Sequence, residues 1–299
     1  MTGESYHATA SLPAATQSHS EATAAPIIIE PTHGIASLRL GEIWAYRELL
    51  YILTWRDVKV RYKQTLLGIF WIILQPLVSM LVFSFLFGRL LGVPSEGVPY
   101  PIFAFAALLP WNYFASSLGR ATTSLVGSAH LVRKIYFPRL IIPISSVLSG
   151  LVDFVFAFVV LVGLMVYYRI SPTIDILWLP AFLLLALMTA LGFGLWLSAL
   201  NVRYRDINYV IPFMTQLWMY MTPVIYGTTL IPERFRFLLA LNPMTGVVEG
   251  FRWALLGPYL QARPPFTSLF VIGVGITLIM LVTGVFFFQS TERTFADVV

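Results

Sequence analysis

The chain of 299 residues has no cysteine, three lysines and few charges of either sign, with Asp, Glu, Lys and Arg together making up 11% of it. Each shortage excludes something. Without cysteine there is no disulfide framework, thiolate metal site or cysteine nucleophile. Soluble domains carry about a quarter charged residues, so the chain falls outside that class. The lysines are Lys59, Lys63 and Lys134, and none follows a glycine. The Gly-x-x-x-x-Gly-Lys-Ser/Thr loop that cradles nucleotide phosphates is therefore missing, and any ATP that drives this protein is hydrolysed by another polypeptide. Three histidines, His7, His19 and His33, lie near the N-terminus, and His130 stands alone. No His-Glu-x-x-His, no Gly-x-Ser-x-Gly and no aspartate pair suited to a nucleotide-sugar metal occurs. No catalytic, cofactor-binding or metal-ligating residue is expected.

What is present is apolar: 58% hydrophobic residues and a mean hydropathy of +0.80. The run Arg56-Asp57-Val58-Lys59-Val60-Arg61-Tyr62-Lys63 sets four cations before an uncharged stretch over 64–88. That stretch holds about 25 residues, enough to cross a hydrocarbon core with some tilt. The formal charge of +5 reads as topology signalling and contact with membrane lipids, not as a nucleic-acid surface.

The pattern predicts an all-α integral membrane protein with six spans, near 65–87, 100–117, 140–168, 177–200, 211–226 and 266–289. With the N-terminus inside, only six of the 19 Lys and Arg are external: Arg89, Arg169, Arg234, Arg236, Arg252 and Arg263. The positive-inside rule then places both termini in the cytoplasm. Tyr100, Tyr167, Tyr168 and Trp178 are expected at the outer interface as an aromatic belt. Residues 1–37, rich in Ala, Thr and Ser without Lys or Arg, read as a disordered cytoplasmic tail rather than a signal peptide. Residues 38–63 read as an amphipathic helix at the inner interface, with Ile43, Tyr46, Leu50 and Leu53 on one face. Segment 291–299 is a short cytoplasmic end. Two connections exceed turns: a cytoplasmic one at 118–139 and an external one at 227–265. The apolar runs of the latter are too short and interrupted to span, and suit re-entrant helices.

Asp153 is the one acid clearly inside a span. Burying it costs about 2.5–3.5 kcal/mol, so it faces protein or water. It reads as a structural hydrogen-bond partner or a proton carrier; no membrane-embedded partner is evident for it. Span one carries Gly68, Trp71, Gln75 and Ser79 at steps of three and four. Span five carries Thr215, Met219, Thr222 and Tyr226 likewise, flanked by Gln216 and Tyr220. Such stripes form either helix contacts or the wall of a water-filled path whose aromatic faces stack on sugars. Pro76, Pro110, Pro212 and Pro223 mark possible kinks.

The opening Arg56-Asp57-Val-Lys59-Val-Arg61-Tyr62-Lys63-Gln64-Thr-Leu-Leu67-Gly68-Ile-Phe-Trp71…Gln75-Pro76 resembles that of ABC type-2 permeases that export polysaccharides, the O-antigen, capsule and teichoic-acid exporters. Three further stretches agree in order: Tyr204-Arg205-Asp206, Thr222-Pro223-Val-Ile-Tyr226, and Asn242-Pro243-Met-Thr245…Glu249-Gly-Phe-Arg252. The resemblance covers about residues 38 to 290. It implies a homodimeric channel flanked by two copies of a separate ABC subunit that binds ATP and Mg, this chain holding no cofactor. It implies a polysaccharide substrate on a lipid-diphosphate carrier. Coupling to the ATPase would fall to Arg56, Asp57, Arg61, Arg120, His130, Arg133, Lys134 and Arg139. The path would be lined by Gly68, Trp71, Gln75, Ser79, Thr215, Gln216, Met219, Tyr220, Thr222 and Tyr226. The external gate would hold Asn242, Pro243, Glu249 and Arg252. Three alternatives stand beside this: a type-2 permease for a drug or small lipid, an ion-coupled transporter using Asp153, and a membrane glycosyltransferase, which the missing acidic ligands disfavour.

Overall fold

The computed structural model describes residues 40–63, 68–260, 265–292 and 295. The expected tail at 1–37, the start of the first span and most of segment 291–299 lie outside the described residues. Among the described residues every regular element is helical.

Two helices, α1 (Leu40–Ala45) and α2 (Arg47–Lys63), replace the single interface helix. Backbone bonds from Tyr46 N to Glu42 O (3.1 Å) and from Leu50 N to Tyr46 O (3.0 Å) carry the helix across the joint. The apolar stripe departs from the expected one. Leu53 and Val58 are buried, whereas Tyr46, Tyr51, Ile52, Trp55 and Val60 are exposed. Asp57 is half-buried and accepts a bond from Ser146 Oγ (3.4 Å). The helix thus grips protein on one side and leaves apolar groups to a second surface.

Among the described residues, five helices are long and apolar enough to cross a membrane: Phe70–Leu90, Tyr100–Gly127, Ile141–Tyr167, Ile174–Arg203 and Phe270–Thr291. The first is α3 (Gly68–Phe83) continued by a π-helical stretch, Ser84–Leu90. Next comes α4 (Tyr100–Gly127), which runs well past residue 117, so one continuous helix occupies the start of the expected 118–139 connection. Only α5 (Ala129–Lys134) stands apart there. The third crossing is α6 (Ile141–Leu148) and α7 (Gly150–Tyr167), joined through a helical Ser149. A 3₁₀ turn at Ile174–Trp178 leads into α8 (Leu179–Arg203), and α12 (Ser268–Thr291) is the last.

The remaining expected span falls on α9 (Ile207–Met221), of 15 residues. It rises about 22 Å, short of a hydrocarbon core of about 30 Å. Its end has a local cause. The ring of Pro223 disfavours helical geometry in the residue before it, and Thr222 is extended at φ −95°, ψ 139°. Beyond it come 3₁₀ turns at Thr228–Leu230 and Glu233–Phe235, then α10 (Arg236–Ala240) and α11 (Pro243–Leu256).

The centre of the bundle is α4. Its most apolar window is 78% buried within the chain, against 11% for Phe70–Leu90. Helix α8 packs on α4, and α12 on α8. The α8–α12 approach depends on glycine: a Cβ on Gly192 would lie 2.8 Å from Leu281 N. Thr189 and Thr277 add a hydroxyl contact of 3.0 Å across the same pair. Small residues and isolated hydroxyl bonds hold helices together where lipid removes the hydrophobic incentive to associate. Tyr167 and Trp178 are exposed, as belt residues should be, but Tyr100 is not. Its ring is buried and its hydroxyl donates to the Ile225 carbonyl (2.6 Å).

Candidate functional site

Asp153 lies on the first turn of α7, and two cations reach it from other helices. From the end of α2, Arg61 places Nη1 2.5 Å from Asp153 Oδ2 and donates through Nη2 to Ser149 Oγ (3.0 Å). From α4, Arg120 places Nη1 3.3 Å from the same oxygen. Its other nitrogens bond Ser117 Oγ (3.0 Å) and the Ser146 carbonyl (3.3 Å). Tyr62 donates its hydroxyl to the second carboxylate oxygen. The phenol is pushed up to about 12, chiefly by burial and then by the bond to Asp153, so it remains a donor at physiological pH. The carboxylate expected without a membrane-embedded partner therefore has two cationic partners and a phenol. The side chains of Arg61, Arg120 and Asp153 are 26%, 23% and 21% exposed.

Local sequence makes this meeting possible. A Cβ on Gly150 would collide with the Arg120 guanidinium and lie 2.7 Å from Ser117 Oγ, so the bare backbone there is the bed in which Arg120 lies. Two guanidiniums share one carboxylate, which leaves a surplus positive charge.

That surplus faces a cavity of about 460 Å³. Its wall includes Arg61, Tyr62, Arg120 and Asp153 with Trp71, Gln75 and Pro76 of α3 and Asn112, Tyr113 and Ser116 of α4. Such a volume falls within the range of small-molecule pockets, about 300–1,000 Å³. Aromatic faces, an amide and fixed cations suit a ligand with a polar, ring-bearing body and an anionic group.

The cavity brings together Trp71 and Gln75 but not the rest of the expected path set. Gln216 and Tyr220 are exposed on α9, where Thr215 turns its hydroxyl back to Ile211 O (2.9 Å). Ser79 and Met219 are half-buried, and Gly68 begins α3. Thr222 is fully buried. It donates to Trp218 O (2.8 Å) and accepts from Asn242 Nδ2 (2.8 Å). Asn242 also receives Trp218 Nε1 (2.8 Å) and caps α11 through Met244 N (3.1 Å), just before Pro243. Trp218 itself is packed between Phe114 and Phe193, with ring centroids 4.9 Å from each.

Of the expected coupling residues, Arg61 and Arg120 are the ones drawn into the Asp153 cluster. Arg56 pairs with Asp57 at 2.8 Å. On α5, His130, Arg133 and Lys134 are exposed. Arg139 is half-buried and fastens the end of α12 through Glu292, whose carboxylate accepts its backbone N–H (3.2 Å) and whose carbonyl accepts its guanidinium.

Sequence reading passed over Tyr62, Asn112, Tyr113, Ser116 and the pairing of Arg120 with Asp153. One signal was available: an arginine within an apolar helix and an aspartate within another are expected to pair in a membrane.

Comparison with known proteins agrees with this architecture. The ABC-2 type transporter family model matches residues 48–256. The O-antigen export system permease protein RfbA of Myxococcus xanthus is 30% identical over 259 residues, 86% of this chain and 97% of that protein. RfbA of Klebsiella pneumoniae is 27% identical over 252 residues, covering 84% and 95%. The polysialic acid transport protein KpsM of Escherichia coli is 21% identical over 246 residues, covering 80% and 91%. The match runs from the first turn of α2 through the last turn of α11, taking in the Asp153 cluster, and with the apolar helices it identifies a multi-pass bacterial inner-membrane protein that belongs to the ABC-2 type transporter family.

Proposed function

We propose that the chain is the channel-forming permease of an ATP-driven exporter for a polysaccharide carried on a lipid diphosphate. In this reading two copies form the channel, α9 with its extended continuation makes the sixth span, and both termini are cytoplasmic. Two copies of a separate ABC subunit bind ATP and Mg, and the exposed end of α5, with Arg133 and Lys134, docks into them. Helices α10 and α11 re-enter the membrane from outside as a gate.

The cavity carries the proposal. Trp71 offers a face on which a sugar ring stacks, and Gln75 can bond its hydroxyls. The surplus charge of Arg61 and Arg120 suits a diphosphate, which guanidinium forks bind well. A volume of about 460 Å³ fits a headgroup with its first sugars, not a polymer, so the chain would pass through residue by residue. The names of the relatives, which refer to O-antigen export and polysialic acid transport, support the same substrate class. The ion-coupled alternative loses ground, because Asp153 is engaged by two cations and a phenol.

The test is to isolate the protein from native membranes and identify what travels with it. A stoichiometric ATPase whose activity depends on this chain is expected, together with glycan export that stops on ATP depletion. Isolation without an ATPase, with glycan export insensitive to ATP, refutes the proposal.

A further inference from the structure

We infer that Arg252 is a positioning residue: it fastens the unwound Thr222–Tyr226 segment to α11 as a water-tight seal. The inference rests on α9 crossing the bilayer. A helix of 15 residues covers about 22 Å of a core about 30 Å thick, so its non-helical continuation still lies at membrane depth. Backbone groups there need partners from protein or from water.

Protein supplies them for the carbonyls, that of Thr222 accepting from Val224 N (2.6 Å). Arg252 is 2% exposed and donates Nη1 to the carbonyls of Pro223 (2.6 Å) and Tyr226 (3.1 Å). Its Nη2 takes the Val224 carbonyl (2.7 Å), and its Nε takes that of Phe103 on α4 (3.3 Å). The remaining carbonyl, Ile225, is held by Tyr100. The guanidinium also lies over the Phe103 ring, 3.7 Å from its centroid. The ion pair with Glu249, at 3.3 Å, is longer than the bonds to Pro223 and Val224, so the planar fork serves backbone before charge. Lysine offers a point charge and cannot reproduce it.

If these pins are removed, the freed carbonyls recruit water, and the seal becomes a hydrated leak. The experiment reconstitutes the complex as isolated, without nucleotide, and follows potassium flux through the vesicles. Tyr100→Phe unpins one carbonyl and should raise the flux about tenfold, the population change that 1.4 kcal/mol produces. Arg252→Lys should raise it further, with assembly unchanged and no rescue by the retained charge. An assembled Arg252→Lys as tight as the parent overturns the inference; if that variant fails to assemble, a tight Tyr100→Phe does so. Because the chain lacks cysteine, labelling Leu230→Cys with an impermeant maleimide tests the crossing of α9 separately. Labelling from the cytoplasmic side alone refutes the six-span reading, and labelling from outside alone, with no rise in flux, refutes the seal.

Discussion

Replacing Asp153 with asparagine keeps the shape of the side chain and removes its charge. Arg61 and Arg120 then face each other across a site in which each is about three-quarters buried. Breaking a buried pair costs about 3–5 kcal/mol, because the cation left behind has lost its compensation. Partial exposure lets water recover some of that, and about 2–3 kcal/mol is the expected loss. Counting bonds leads to a similar figure. The carboxylate accepts from Arg61, Arg120 and Tyr62. An amide oxygen keeps one of these and presents N–H groups to the other donors. Losing even one charge-assisted bond costs about 1.5–3 kcal/mol. Thermal unfolding of the purified protein should therefore drop by about 5–10 °C, at about 2–4 °C per kcal/mol. Arg61→Gln should lose less, because Arg120 still neutralises the carboxylate. The double variant Arg61→Gln/Asp153→Asn should be more stable than the sum of the singles, since it leaves one unpaired cation instead of two. A melting temperature for Asp153→Asn within about 1 °C of the parent, or strict additivity in the double variant, refutes the idea of a shared hub.

Gly150→Ala should expel the Arg120 guanidinium from its bed, with an overpacking cost of about 1–3 kcal/mol; a melting temperature equal to that of the parent would mean that Arg120 does not need that space. Asn242→Ala removes the α11 cap and both side-chain links to α9. It should cost more than the roughly 1 kcal/mol of an isolated cap, and chemical denaturation read through Trp fluorescence measures the difference. In the proposed function, Trp71→Ala removes the sugar-stacking face and leaves the cluster intact. Glycan export should fall at least about fivefold, the equivalent of one stacked base or ring at roughly 1–3 kcal/mol, while co-purification with the ATPase is unchanged. Loss of assembly instead would assign Trp71 to packing.

The fold was legible where the bilayer dictates it. A hydrocarbon core tolerates few charges, so long uncharged stretches mark crossings whatever their neighbours are. Five of the six expected spans coincide with helices long and apolar enough to cross. The ends were less legible because helical hydrogen bonding continues past the membrane: α4 runs on to Gly127 in a stretch where charge and hydroxyls suggested a connection. Tyr100 was assigned to the belt on residue type and position. Its burial became visible only with Ile225, 125 residues away, placed against its hydroxyl. The same separation hid the centre of the site. Arg61 and Asp153 are 92 residues apart, and no periodicity connects a helix end with the first turn of another.

Two stretches that the sequence presented as separate signatures, Thr222–Tyr226 and Asn242–Arg252, are halves of one joint. Proline at 223 ends α9 and extends Thr222. That break strands carbonyls, which need donors, and the donors must come from outside α9. Asn242 takes the hydroxyl at the break, and Arg252, three turns further along α11, takes three of the carbonyls beyond it. In the proposed six-span arrangement each half needs the other, because an unpaired peptide group in hydrocarbon costs several kcal/mol. The spacing in the second motif follows from this need. Asn242 is the N-cap and Arg252 lies about 2.8 turns on, and the hydrogen bonds of both reach the same five-residue break. A substitution in either motif should thus be read in the pair. An Asn242→Ala change combined with Arg252→Lys should destabilise by less than the sum of the singles, since a joint already released on one side has less left to lose.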